Sequence, residues 1–206
     1  MKANCLLFFL ICLFSCNQKQ SSSQKLCNDF YALNKSNSFE GLFDVYIGGR
    51  TKSIYDGSVN QYELVFTHIG IFDVDSNTFI TVPVFGMKSS LAEKQKAFDL
   101  CDQNVKSFLL RKLDTSENEL FESYVDYIKR ILNAYNTIKV PAYHNNKNVI
   151  LEASRPTLGK FIIFHLDTRC KCYYVKDQNS LNEYWSAYFK KINNIGPHWY
   201  YVGNPQ

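Results

Sequence analysis

Short alternating runs of apolar and polar residues occupy the first half of the chain beyond residue 40. Leu42–Ile47 alternates and runs into Gly48-Gly49, the pattern of a strand entering a turn. Segments 62–69 and 78–85 are rich in β-branched and aromatic residues, with the polar stretch Asp73–Asn77 between them. That spacing predicts an antiparallel hairpin or meander. Pro83 has no N–H to give to a ladder, which places the third of these strands at an edge or gives it a bulge.

The period then changes. Ser-x-x-Glu capping boxes stand at Ser90/Glu93, Ser116/Glu119 and Ser180/Glu183, and each predicts a helix start. The first helix is expected to align Phe98, Cys101, Val105 and Phe108, and the second Leu120, Tyr124, Ile128, Ile131 and Tyr135, as core-facing stripes. Pro141 stops the second. The third carries Leu181, Tyr184, Trp185, Tyr188, Phe189 and Ile192. A shorter helix is expected over 26–34, with strands over 147–152, 160–167, 170–176 and 198–202. Strands in runs, not alternating with helices, predict an α+β fold: a single domain over 25–206, mostly antiparallel sheet, with three main helices.

The N-terminus reads differently. Lys2 precedes an uncharged run, Ala3–Phe14. At about 1.5 Å per residue it falls short of a bilayer core of roughly 30 Å, and it has the length of a signal-peptide h-region. It ends on Leu13-Phe14-Ser15-Cys16, which resembles a bacterial lipoprotein signal peptide, with an aliphatic residue, a small residue and then the lipidated cysteine. The resemblance implies that residues 1–15 are removed, that Cys16 is acylated, and that the protein sits on a membrane of the cell envelope. Residues 16–24 read as a polar tether. Asn17 stands where aspartate favours inner-membrane retention in lipoproteins, so the resemblance points to the outer membrane, facing the periplasm.

Composition narrows the function classes. Of 206 residues 46% are hydrophobic and 20% charged, enough for a folded core. A net charge of +4 is too small to call for a nucleic-acid partner. After Cys5 and Cys12 leave with the signal and Cys16 with lipid, Cys27, Cys101, Cys170 and Cys172 remain as disulfide candidates for an oxidising compartment. Cys170 and Cys172 share a strand face, poor geometry for bonding each other. With His165 they make a conceivable soft-metal set, but zinc-type spacings are absent, so no metal or other cofactor is expected. Cys101 is expected in the core.

Catalytic signatures are missing too. The chain has no His-Glu-x-x-His run, nucleophile elbow or phosphate loop. Asp73-x-Asp75-x-Asn77 opens like a calcium loop, but Thr78 and Val84 stand where glycine and glutamate are needed, so a polar turn is expected. His165 and Asp167 share a strand face as a base–orienter candidate. Aromatics at Tyr184, Trp185, Tyr188, Trp199, Tyr200 and Tyr201 are candidates for a binding surface or for packing between helix and last strand. The expectation is a non-catalytic, membrane-anchored lipoprotein that binds a protein or small ligand in the envelope. Two alternatives stand beside it: a periplasmic immunity protein against a toxin, and an envelope hydrolase with a site gathered from distant residues.

Overall fold

The structure is a computed structural model that describes residues 22–48, 51–54, 63–66, 69–84, 89–144, 149–168 and 170–203. The segment expected to be a signal peptide, Cys16 and most of the expected tether lie outside them. The described residues form an eight-stranded antiparallel sheet, a separate two-stranded ribbon and five α-helices. The expected α+β class with an antiparallel sheet is the fold observed, and the helices exceed three because one is divided and the N-terminal one is longer than expected.

In chain order the helices are α1 (Ser22–Asn34), α2 (Leu91–Asp99), α3 (Gln103–Leu113), α4 (Leu120–Asn136) and α5 (Glu183–Phe189). The sheet strands are β1 (Val45–Ile47), β4 (Ile69–Asp73), β5 (Thr78–Val82), β6 (Ile150–Ala153), β7 (Phe161–His165), β8 (Cys170–Val175), β9 (Asn193–Gly196) and β10 (Trp199–Gly203). They lie side by side as β5-β4-β1-β6-β7-β8-β10-β9. The ribbon pairs β2 (Thr51–Ile54) with β3 (Glu63–Phe66). Strand β5 is an edge, and Pro83 follows its last residue, as the missing N–H requires.

The polar turn expected at 73–77 is the β4–β5 turn, but the strand that enters it is Ile69–Asp73, and the segment expected as that strand, 62–69, instead supplies β3 to the ribbon. Asp73 accepts hydrogen bonds from Ser76 Oγ at 2.8 Å and from the Ser76 and Asp75 amides, while Asn77 adopts φ 52°. These bonds pull the Asp73 carboxyl below its ordinary range, with the nearby Arg111 adding to the effect.

Period-two alternation gives the sheet two unlike faces. One carries Val45, Ile47, Ile69, Ile71, Leu151, Ile162, Phe164, Cys172, Trp199 and Tyr201 into the main core. Helices α1, α3 and α4 cover it. The α4 stripe of Leu120, Tyr124, Ile128, Ile131 and Tyr135 is buried as its spacing demands. On α1 the buried residues Ser23, Leu26, Cys27, Phe30 and Asn34 recur at helical spacing. Ser22–Gln24, read from sequence as tether, are therefore the first turn of a packed helix.

Asn34 closes α1. Its Nδ2 donates to Phe30 O at 2.8 Å and Lys139 O at 2.7 Å, and its Oδ1 accepts from Lys139 N at 2.9 Å. One fully buried amide thus ties α1 to the segment leaving α4, and its hydrogen-bonding capacity is used.

Three helix boundaries differ from expectation, each for a local reason. The Ser90/Glu93 box is formed, but its helix ends at Asp99 and a new one starts after Asp102, whose carboxylate accepts from Asn104 N at 2.7 Å. A short acidic side chain that can cap an N-terminus breaks the run into two helices. Cys101 therefore sits in the break, half-buried against the main core and not on a continuous helical stripe. Ser116 bonds the Glu119 carboxylate at 3.3 Å within a turn, and α4 begins only at Leu120. Asn182, not Ser180, caps α5, its Oδ1 accepting from Trp185 N at 2.9 Å. Ser180 instead accepts from Lys160 N at 3.1 Å and donates to Asp177 O at 2.7 Å.

Candidate functional site

The second face of the sheet is the one that differs in kind along its width. At the β7-β8-β10 end it buries Phe161, Tyr173, Val175 and Tyr200 under α5, with Phe189 of that helix inserted among them. Phe189 lies 4.9 Å from Tyr200 and 5.5 Å from both Phe161 and Tyr173, ring centre to ring centre. The connection to α5 is pinned by Gly159 at φ 116°, where an added Cβ would fall 2.8 Å from Leu181. Only glycine takes that backbone without strain.

Above this base α5 presents three aromatics. Trp185 packs at 4.5 Å on Phe161, and Tyr188 places its hydroxyl 3.3 Å from that of Tyr173. Tyr184 stacks nearly parallel to Tyr188, with 6.4 Å between centroids and a 10° tilt, and stands edge-on to Trp185. Tyr184 is 69% exposed. Its ring is held by neighbours that are themselves seated on the sheet.

The remaining aromatic candidates do not join this surface. Trp199 and Tyr200 are adjacent on β10 and so point to opposite faces. Trp199 is 1% exposed in the main core, stacked on Phe164 at 5.6 Å. Tyr200 is covered by Phe189, with its hydroxyl bonded to Gln178. Tyr201 returns to the main core. As binding residues Trp199, Tyr200 and Tyr201 are corrected to packing residues, because the last strand is internal to the sheet and covered on both faces.

Beside α5 the same face turns polar. His165 Nε2 lies 3.2 Å from Glu152 Oε2, with both side chains part-exposed. The bond from His165, helped by the charges of Lys171 and Arg155, holds the Glu152 carboxyl below its ordinary range against partial burial. Burial, then the bond to Tyr188, pushes the Tyr173 phenol well above its own. The expected partner of His165 is elsewhere: Asp167 accepts from Cys170 N at 2.7 Å in the β7–β8 turn. The strand ends at His165, so the alternation that put the two on one face does not extend to residue 167. Glu152 went unnoticed in the sequence, where a single carboxylate within an apolar strand was its signal.

Chemically, the Glu152–His165 pair fixes an imidazole. Among the described residues no serine, threonine or cysteine side chain is hydrogen-bonded to that ring. A shallow groove of about 540 Å³ lies on the other side of the sheet, lined by Leu113, Ser123, Asp126, Lys129, Arg130 and Asn133 of α3 and α4. It does not include His165.

The cysteines are divided between two places. Cys27 and Cys170 form a disulfide joining α1 to β8, and Cys172 is a buried thiol nearby. Cys101 is a separate thiol between α2 and α3. His165 pairs with Lys171 across β7–β8 and so faces away from Cys170 and Cys172. The sheet separates the imidazole from the sulfurs with which it made a metal set on paper.

Fold and surface together define an antiparallel α+β domain with one helix-covered face and one face bearing a short aromatic helix. No family model, curated protein or solved structure matches the chain. Among the described residues no helix is long and apolar enough to cross a membrane.

Proposed function

We propose that the protein is a lipid-anchored envelope lipoprotein whose domain captures a protein partner through the α5 aromatic surface, without chemistry of its own. The observation that supports this reading is Tyr184, exposed yet stacked on Tyr188 and braced by Trp185. An aromatic ring already held in place loses little conformational freedom on binding, which is why Tyr and Trp dominate binding hot spots. Acylation of Cys16 would confine the domain to a layer within reach of its tether and raise its effective concentration toward partners on the same membrane. Neutralising an incoming toxin is one form such capture can take.

The Glu152–His165 pair is the observation behind the second reading, an envelope hydrolase. The experiment that separates the two places a photo-crosslinking residue at position 187, an exposed alanine on the same helix, in cells and compares Tyr188→Ala with His165→Ala. Capture predicts a discrete adduct that falls roughly tenfold or more with Tyr188→Ala, the loss of a hot-spot contact of about 2 kcal/mol. His165→Ala leaves it intact. Loss of the biological activity with His165→Ala, with the adduct and thermal melt unchanged, favours the hydrolase.

A further inference from the structure

Three sulfur atoms meet on the helix-covered face of the sheet. The Sγ atoms of Cys27, Cys170 and Cys172 lie within 4.8 Å of one another, and all three residues are 0% exposed. The arrangement follows from two commensurate repeats. Cys170 and Cys172 are two residues apart on β8, about 6.7 Å along a strand. Ser23 and Cys27 are one turn apart on α1, about 6 Å along a helix. Cys170 Sγ sits 3.5 Å from Ser23 O and Cys172 Sγ 4.0 Å from Cys27 O, so α1 runs along β8 with Cys27 facing both sulfurs.

We propose that Cys172 is an exchange partner for the Cys27–Cys170 disulfide, so that Cys27 is joined to one or other cysteine of β8. The step is internal and balanced. The Cys172 thiol loses its proton and its sulfur attacks Cys27 Sγ. A Cys27–Cys172 bond forms, the Cys27–Cys170 bond breaks, and Cys170 leaves as a thiolate that takes up one proton. No outside oxidant or reductant is consumed. Attack on the other sulfur would join Cys170 to Cys172, whose parallel side chains on one strand suit a disulfide poorly. Dissolved thiols do not reach the cluster while the fold holds. Burial pushes the Cys172 thiol well up, which makes exchange slow near neutral pH and faster in alkali. The consequence is a clamp with a spare: α1 stays covalently tied to the sheet when either β8 cysteine is lost.

The sequence makes the test clean, because Lys171 lies between the two cysteines and trypsin separates them. Full-length protein is equilibrated at alkaline pH, its free thiols are blocked in acid denaturant, and the unreduced digest is mapped by mass spectrometry. Wild type is expected to yield the Leu26–Lys35 peptide linked to Cys170–Lys171 and also to Cys172–Lys176. Cys170→Ser is expected to carry the Cys27–Cys172 link in most molecules, and Cys172→Ser only the Cys27–Cys170 link. A folded Cys170→Ser protein with Cys27 and Cys172 both blocked as free thiols overturns the proposal. So does a wild-type map with Cys27 linked to Cys170 alone, which decides the matter even if Cys170→Ser does not fold.

Discussion

His165 meets Glu152 diagonally across the β6–β7 pair, with Nε2 3.2 Å from Oε2, while its direct register partner is Ile150. The contact places an acid–base pair beside the aromatic helix and on the opposite side of the sheet from the cysteine cluster. A stability consequence follows from the sign of the Glu152 shift. Its carboxyl is lowered from the ordinary 4.5 in the folded protein, so its contribution is present above that value and disappears as pH falls through the folded value. Glu152→Gln is expected to lower the melting temperature at pH 7 and to converge with wild type in acid. A part-exposed pair is worth under about 1 kcal/mol, which limits the shift to about 4 °C. A gap that stays constant from pH 7 to pH 3 would contradict the assignment.

Trp199 and Tyr184 separate packing from surface. Trp199→Ala removes a fully buried indole ringed by Phe30, Phe39, Phe164 and Tyr174. It is expected to cost about 3–5 kcal/mol in denaturant titration. Tyr184→Ala should stay within about 0.5 kcal/mol of wild type. Comparable losses in the two variants would place Tyr184 in the packing of the domain.

Gly159 tests the seating of α5. Replacing it with alanine forces a side chain onto φ 116° and against Leu181. The expected destabilisation is about 1–3 kcal/mol, accompanied by weakened near-ultraviolet dichroism as Trp185 loses its fixed surroundings on Phe161. An unchanged denaturation midpoint would show that the turn relaxes at no cost.

The two thiols outside the disulfide should differ in access. Cys101 is part-exposed and Cys172 buried, so a maleimide should label Cys101 in native protein and Cys172 only after unfolding. Partial burial raises the Cys101 thiol above its ordinary value, so its labelling should accelerate as pH is raised from 7 to 9. Equal labelling of both residues in native protein would rule out the burial assigned to Cys172.

The proposed anchor has its own test. Cys16→Ala is expected to move the protein from the detergent-soluble membrane fraction to the aqueous fraction, and the acyl mass should vanish from the N-terminal peptide. Unaltered membrane retention with an unmodified peptide in wild type would remove the lipid from the proposed function.

What the sequence determined by itself is what neighbouring residues settle among themselves. The α4 stripe, the Ser90 capping box, the polar turn at Asp73 and the edge position signalled by Pro83 all depend on spacing within a few residues, and all appear in the fold. The antiparallel α+β class follows from the order of such elements. The failures are of the opposite kind. Asp102 interrupts a helix by capping the next one, which an apolar stripe read alone does not reveal. The Cys27–Cys170 bond joins residues 143 apart, and Glu152 meets His165 only once β6 and β7 take their register. Trp199 and Tyr200 look alike as neighbouring aromatics of a last strand, and Tyr184 and Trp185 look alike on a helix. Which of them is buried depends on whether the strand gains neighbours on both edges and covers on both faces. Chain connectivity encodes local period cheaply, whereas burial on a given face is set by everything else that packs there, and only the tertiary structure decides it.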